Sequence, residues 1–232
     1  MNEYQIQLML SRGKGDILGL SVLDTIYVRD IAEPLVKLVD YLDIIIAPRT
    51  GRFQEGETFW AREQVAKSLA QVAEEIFPNR IKVYDAFRSV AYQKLRYDLF
   101  REKVCLENPG WTEGQIDEET FVSVFPPSLD PQKPPAHATG GALDLTLVDS
   151  NGIDRDMGSR WADFESPFMS TNAVGLTSEQ RGNRETLVTL MGKAGFMSYP
   201  GEWWHYSYGD REWAAYQGLK EAFYGRAEDP YK

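Results

Sequence analysis

Apolar side chains recur at intervals of three and four residues along several stretches of this chain, which is the spacing of an amphipathic helix. The longest stretch predicts a helix over residues 59–77, with Thr58 able to cap its start and Pro78 at its end. A second helix is predicted over residues 179–193, where Gly195 is placed to end it. The chain therefore contains at least two well-marked helices.

Two further stretches have a helical spacing. Ser89 can cap a helix from Val90 to about Val104. The pattern of this helix predicts that Leu95 and Leu99 face the core. It predicts that Arg96 and Arg101 face outward. Residues 31–42 also fit a helix, although Pro34 has to fall within its first turn.

Strands are predicted where apolar and polar residues alternate. These segments are residues 81–84, 142–148, 196–199 and 203–208, and residues 44–46 form a short buried segment. In the second strand the alternation places Asp144 and Thr146 on one face and the leucines on the other.

A long segment rich in proline and glycine, residues 108–136, separates the helix that follows Ser89 from the next strand. We interpret it as mostly loop, with one helical turn near Glu118. Loops of this length in a compact domain are often lids or binding loops, and this one leads directly to His137.

Length and composition narrow the class of protein. The 232 residues, 43% of them hydrophobic and 26% charged, suit one globular domain spanning residues 1–232, with residues 1–50 as an accessory segment. The net charge of −10, without a basic run, argues against a nucleic-acid partner. No apolar run is long enough to span a membrane, and no signal peptide is visible. A single cysteine, Cys105, agrees with a reducing compartment, so we expect a cytoplasmic protein.

The chemistry centres on the only two histidines of the chain. His137 and Asp144 flank Gly140 and Gly141, which let the backbone turn sharply so that both side chains can converge. His205 completes a set of two imidazoles and one carboxylate. Such a set suits catalytic zinc, which takes three protein ligands and leaves one position open, although other divalent metals could occupy it.

Two more residues have candidate catalytic roles. On a regular strand Glu202 and His205 would face opposite ways, but Pro200-Gly201 predicts a bend that brings both to the metal. Glu202 is then placed to take a proton from water. Arg88 lies with Asp85 in a strand-to-helix turn, a common position for functional side chains, but it is equally well explained as the ion-pair partner of Asp85.

Each residue also has a purely structural explanation. A single histidine is more often a core or surface residue than a metal ligand, and Asp144 could serve only to bond backbone near a turn. The two histidines together with Asp144 and Glu202 favour the metal site. Trp203 and Trp204 are interpreted as packing walls.

The ordered motifs His137-x-x-Gly140-x-Ala142-x-Asp144 and Glu202-x-x-His205, preceded by Asp85-Ala-Phe-Arg88, resemble those of the D-alanyl-D-alanine dipeptidases. This group includes the vancomycin-resistance dipeptidases and lies within a superfamily of murein D,D-peptidases. The resemblance runs from about Phe53 to Tyr208.

The resemblance implies specific roles. His137, Asp144 and His205 would bind one zinc ion, Glu202 would be the catalytic base, and Arg88 would stabilise the tetrahedral intermediate. It also implies an α+β fold in which helices pack on a central, mainly antiparallel sheet with a zinc cleft.

One position departs from the family pattern, since Pro135 stands where family members usually have a serine, two residues before the first histidine. If that serine holds substrate, the dipeptide preference has shifted. A dipeptide brings a free ammonium, so an acidic side chain should meet it. Asp163 and Glu165 are the candidates, and Asp85 is a further candidate for substrate contact.

The sequence therefore predicts a zinc-dependent dipeptidase acting on D-Ala-D-Ala or a close relative. Two alternatives stay open. One is a murein carboxypeptidase or endopeptidase of the same superfamily, which should accept longer peptides. The other is a non-catalytic protein that binds peptide or cell wall.

Overall fold

The computed structural model describes residues 17–47 and 58–230. Its strands are β1 Tyr27–Val28, β2 Leu35–Lys37, β3 Ile44–Ile46, β4 Trp60–Arg62, β5 Arg80–Asp85, β6 Leu143–Val148, β7 Met197–Ser198, β8 His205–Ser207 and β9 Glu221–Ala222. Its helices are α1 Leu20–Leu23, α2 Glu63–Ile76, α3 Val90–Glu107, α4 Glu113–Ser123, α5 Ser178–Lys193 and α6 Arg211–Tyr216. Two short 3₁₀ helices span Leu38–Asp40 and Ala136–Thr139.

Five strands form the central sheet, in the spatial order β3-β5-β6-β8-β7. β3 runs parallel to β5, and every other neighbouring pair in this sheet is antiparallel. The predicted α+β class, with helices on a mainly antiparallel sheet, is confirmed. β6 is the middle strand and all six of its residues are buried, so the residues it carries are shielded on both faces.

The main core lies between this sheet and helices α2 and α5. α2 buries Val65, Leu69 and Val72, and α5 buries Leu187 and Met191. These helices contact each other as well as strands β5 and β6. The predicted periodicity of both helices is confirmed, because the apolar residues that define it are the ones that enter the core.

The start of α2 differs from the prediction. Residues 60–62 form β4, which pairs antiparallel with β2, and the helix begins at Glu63 without a side-chain cap. Thr58 therefore does not cap it. The predicted helix over residues 31–42 is wrong for the same reason, because the β2–β4 pairing takes residues 35–37 into a strand.

α3 is capped by Ser89 as predicted, but the predicted orientation of its side chains is wrong. Leu95 and Leu99 are exposed, whereas Arg96 points inward to the carboxylate of Asp85. The reason is that α3 begins beside the end of β5, so this face of the helix meets the buried carboxylate of Asp85. An arginine on that face forms an ion pair, whereas a leucine would leave the buried charge unpaired.

The prediction of loop across residues 108–136 is wrong in part, because α4 spans eleven of these residues. A reciprocal capping box between Thr112 and Gln115 starts this helix. Arg101 on α3 ties it down by ion pairs to Glu113 and Asp117. Within the part of the chain described, no helix combines the length and apolar character needed to cross a membrane.

Candidate metal centre and active site

The central sheet aligns the candidate residues by its register. Asp144 on β6 pairs with His205 on β8, and on its other side with Asp85 at the end of β5, after a register shift. Residues paired across neighbouring strands project to the same face of a sheet. Backbone pairing therefore brings the carboxylate of Asp144 to the same point as His205 and the Asp85–Arg88 turn.

His137 reaches that point through the glycine turn. Gly140 ends the 3₁₀ helix with a φ of 76°, and a Cβ there would lie 2.4 Å from the side chain of Leu35. A Cβ at Gly141 would lie 2.2 Å from the carbonyl oxygen of Tyr208. Both positions therefore require glycine, Gly140 for its backbone conformation and Gly141 for close packing. The sharp turn expected from the sequence is present.

His137, Asp144 and His205 offer ligand atoms that lie within 4.8 Å of one another. Oδ1 of Asp144 lies 3.2 Å from Nε2 of His137 and 3.1 Å from Nδ1 of His205. All three residues are buried. Two imidazoles and one carboxylate around a shared point form a donor set that suits zinc.

His137 is held in the tautomer that a metal ligand needs. Its Nδ1 lies 2.7 Å from the carbonyl oxygen of Ala86, so Nδ1–H donates and Nε2 keeps its lone pair. Burial lowers the pKa of His137, and the positive charge of Arg88 adds to this effect. The imidazole is therefore neutral and able to coordinate a cation.

Asp144 and His205 are coupled through a short contact. Burial opposes ionisation of Asp144, but His137 and His205 outweigh it and hold the pKa of this carboxyl well below its usual value. Burial also opposes the charged form of His205, yet hydrogen bonds to Asp144 and Glu212 hold its pKa well above the ordinary value. The indole Nε1–H of Trp161 donates to Oδ2 of Asp144 at 3.1 Å and fixes the carboxylate plane.

Arg88 is held by two neighbours. Its Nε and Nη2 donate to Oδ2 of Asp85 at 3.1 and 2.6 Å, and its Nη1 donates to Oε1 of Gln93 at 2.7 Å. The predicted Asp85–Arg88 ion pair is therefore present, and Arg88 also lines the same cavity as the histidines. The ion pair and the place in the wall are compatible in one side chain, and the catalytic role of Arg88 stays a prediction.

A cavity of about 560 Å³ opens over these residues, which is within the usual size range of small-ligand sites. Its wall includes all three candidate metal ligands together with Arg88 and Glu202. Glu202 is half-buried. It enters the wall because residues 199–205 make the turn that Pro200-Gly201 predicts, with the amide of His205 donating to the carbonyl of Glu202 at 3.2 Å.

The candidate substrate-binding acids are placed elsewhere. Asp163 and Glu165 are exposed and do not line this cavity, and Glu165 pairs with Lys103 on α3. Asp85 lies behind the wall, where it holds Arg88 and Arg96. Their roles in substrate binding stay predictions, and the structure gives no contact in support of Asp163 or Glu165.

From the sequence, no functional role was assigned to Arg96 or Glu212, which are charged residues of the wall. Glu212 contacts His205, with 3.4 Å between Oε2 and Nε2. Neither residue belongs to a local motif. The sequence feature that could have identified Arg96 is its position on the helix relative to Ser89. The predicted orientation of α3 placed its leucines inward, which turned Arg96 outward.

Two imidazoles and a carboxylate in a cavity that also presents Glu202 and Arg88 define the site of a metal-dependent hydrolase. Residues 49–223 match the peptidase M15 family, described as D-Ala-D-Ala dipeptidase. The chain belongs to this family of peptidases, and the assignment made from the sequence motifs is confirmed.

Curated relatives agree with this assignment. A D-alanyl-D-alanine dipeptidase of Synechocystis is 32% identical over 206 aligned positions, which cover 76% of this chain and 82% of the relative. A D-alanyl-D-alanine dipeptidase of Enterococcus faecium is 39% identical over 72 residues, which cover 31% of this chain and 35% of that protein.

Two solved structures are also similar to this chain. The vancomycin-resistance D,D-pentapeptidase VanY, solved in complex with Zn(II), is 18% identical with a TM-score of 0.43 and covers 85% of this chain and 96% of its own. VanYB in complex with D-alanine-D-alanine is 17% identical with a TM-score of 0.42 and covers 69% of this chain and 80% of its own.

Proposed function

We propose that this protein is a zinc-dependent dipeptidase that hydrolyses D-Ala-D-Ala or a closely related dipeptide. The observation that carries the proposal is the convergence of His137, Asp144 and His205 on one wall of a cavity that Glu202 and Arg88 share. Membership of a D-Ala-D-Ala dipeptidase family supports the substrate and the reaction.

The donor set fits zinc in its chemistry as well as its spacing. His137 presents a neutral imidazole and Asp144 an ionised carboxylate, and His205 would supply a second nitrogen by releasing a proton when the metal binds. Bound zinc supplies a Lewis acid that lowers the pKa of water to about 7 and polarises the scissile carbonyl. The chain offers this set no thiolate, because Cys105 is exposed on α3.

Glu202 acts as the general base. It lines the cavity beside His205 and is half-buried, which keeps a carboxylate close to the reacting atoms without enclosing it fully. It accepts a proton from the attacking water and passes it to the leaving amine. A carboxylate suits both steps because it can hold the proton between them.

Arg88 stabilises the negative charge that develops on the carbonyl oxygen. Three of its five N–H groups are used by Asp85 and Gln93, which fixes the guanidinium plane and leaves donors for the cavity. Because the guanidinium is preorganised, no free energy is spent on reorienting it during the reaction. The contact with Asp85 therefore supports the catalytic role of Arg88 instead of competing with it.

We also propose a single domain over residues 1–232, with residues 1–50 as an accessory segment. Two strand pairings support it, since β1 pairs with β9 and β2 with β4, which ties the described part of that segment to the rest of the chain. We propose the cytoplasm as the compartment, in agreement with an exposed, unpaired Cys105.

The test measures zinc content and D-alanine release from D-Ala-D-Ala by the purified protein and by Glu202→Ala. About one zinc per chain, turnover by the wild type and loss of turnover in a variant that keeps its zinc are expected. Release of D-alanine from a pentapeptide that ends in D-Ala-D-Ala, without activity on the dipeptide, would instead identify a murein carboxypeptidase. Binding of the dipeptide without turnover by the zinc-loaded wild type would identify a binding protein.

A further inference from the structure

A second arginine stands beside Arg88 in the cavity wall. Arg96 projects from the second turn of α3, lines the cavity, and its side chain is 19% exposed. It makes one ion pair with a described residue, from Nη1 to Oδ2 of Asp85 at 3.2 Å. The same oxygen already accepts two hydrogen bonds from Arg88.

Asp85 is shared by two guanidinium groups. Its Oδ2 forms ion pairs with both Arg88 and Arg96, so Arg96 has only a shared carboxylate as its ion-pair partner among the described residues. Burial lowers the pKa of Arg96, and the neighbouring charge of Arg88 adds to that effect. An arginine stays protonated under such conditions, so Arg96 presents a largely desolvated cation to the cavity, and a carboxylate that enters can pair with it.

Arg96 also has unused donors. A guanidinium has five N–H groups, and a single hydrogen bond to the described part of the chain leaves four of them for a ligand. Arg88 has fewer to spare, since Asp85 and Gln93 use three. Pro135, on the same wall, offers no side-chain donor at all. Arg96 is thus the wall residue best equipped for bidentate contact with a carboxylate.

We propose that Arg96 binds the C-terminal carboxylate of the dipeptide substrate and thereby restricts the enzyme to peptides with a free C-terminus. This inference rests on the proposed dipeptidase function. Arg88 would then bind the oxygen of the scissile carbonyl, and Arg96 would bind the C-terminal carboxylate. Asp85 positions both arginines.

The experiment compares D-Ala-D-Ala with its C-terminal amide, which lacks the carboxylate charge. For Arg96→Gln we expect kcat/KM on the free acid to fall about 10- to 100-fold, as expected for the loss of a charge-assisted hydrogen-bonded pair. The value for the amide should change less than about 3-fold. Arg96→Lys keeps the charge but not the planar guanidinium. Its kcat/KM on the free acid should therefore lie between the values of the wild type and Arg96→Gln.

Binding provides a readout independent of turnover. In the zinc-loaded Glu202→Gln background, calorimetry should show that Arg96→Gln weakens binding of the free acid by a similar factor while binding of the amide is nearly unchanged. Arg101→Gln is the matched control, because Arg101 lies on the same helix and pairs with Asp117 outside the cavity. It should preserve the preference for the free acid.

Three results would overturn the inference. An equal loss for acid and amide would mean that Arg96 only supports the wall, and no loss for either substrate would mean that another group binds the carboxylate. A zinc-loaded wild type that neither binds nor hydrolyses the dipeptide would overturn the proposed function itself. That last failure shows in the wild type, so it is distinct from a failure seen only in the Arg96 variants.

Discussion

Nε2 of His205 lies 3.4 Å from Oε2 of Glu212, while Nδ1 of the same ring lies 3.1 Å from Oδ1 of Asp144. The imidazole is thus held between two carboxylates, one in the metal set and one behind it. Glu212 belongs to α6 and is mostly buried. A carboxylate that accepts a hydrogen bond from the outer nitrogen of a metal-bound histidine fixes the ring and strengthens its donor nitrogen.

Glu212→Gln should therefore weaken zinc binding by about 10- to 100-fold, because it removes the negative charge that lies 3.4 Å from Nε2 of His205. Competition with a chelator of known affinity measures the effect. Glu221→Gln is a suitable control, since Glu221 is an exposed glutamate on β9 outside the cavity. Equal zinc affinities in both variants would show that the Glu212 contact does not support the metal site.

Glu202→Gln should lower kcat by roughly 10³-fold, because an amide cannot accept the proton from water. The zinc content should stay at the wild-type value, since Glu202 lies outside the group of three ligands. Steady-state kinetics and elemental analysis on the same preparation test both statements. A variant that retains most of its kcat would rule out Glu202 as the base.

Removal of zinc should abolish turnover and lower the thermal midpoint by about 5–10 °C, the shift expected when a ligand present at about 100 times its Kd is withdrawn. Differential scanning calorimetry with and without chelator measures the shift. Asp144→Asn should show a low midpoint that no longer responds to the chelator. A chelator-induced shift as large as that of the wild type would contradict the assignment of Asp144 as a ligand.

Asp210 gives a pH-dependent prediction for stability. Its carboxyl caps α6 through the amide of Trp213 and is buried, and its Oδ2 has no hydrogen-bond partner among the described residues. Burial, with the negative charge of Glu212 nearby, raises the pKa of Asp210 to about 7. In the unfolded chain an aspartate carboxyl has a pKa near 3.9. Between this pH and about 7, the folded state therefore holds a proton on Asp210 that the unfolded state has lost. The free energy of unfolding accordingly falls as pH rises through that range.

Asp210→Asn keeps the cap but cannot ionise. Its free energy of unfolding relative to wild type should therefore rise by roughly 2–4 kcal/mol between about pH 5 and about pH 8. Denaturant unfolding of the metal-free proteins at both pH values gives the comparison. If the difference between variant and wild type stayed constant with pH, Asp210 would not be the group that titrates.

The sequence by itself determined the chemistry of the site. Only two histidines were available as ligands, and both lie near carboxylates within short motifs. The glycine turn at Gly140 constrained how His137 approaches Asp144, because backbone conformation at a positive φ is a local property. The helices whose apolar periodicity was strong, α2 and α5, were located for the same reason, since burial of one face follows directly from spacing.

Tertiary structure decided what depends on partners remote in sequence. Residues 35–37 became a strand because β4 lies beside them, and local helical spacing cannot foresee that pairing. Arg96 turned inward because a buried carboxylate on β5 faces α3. The alignment of Asp85, Asp144 and His205 arises from strand register, which couples residues about 60 positions apart. Such contacts depend on chain topology, and one-dimensional periodicity carries no information about it.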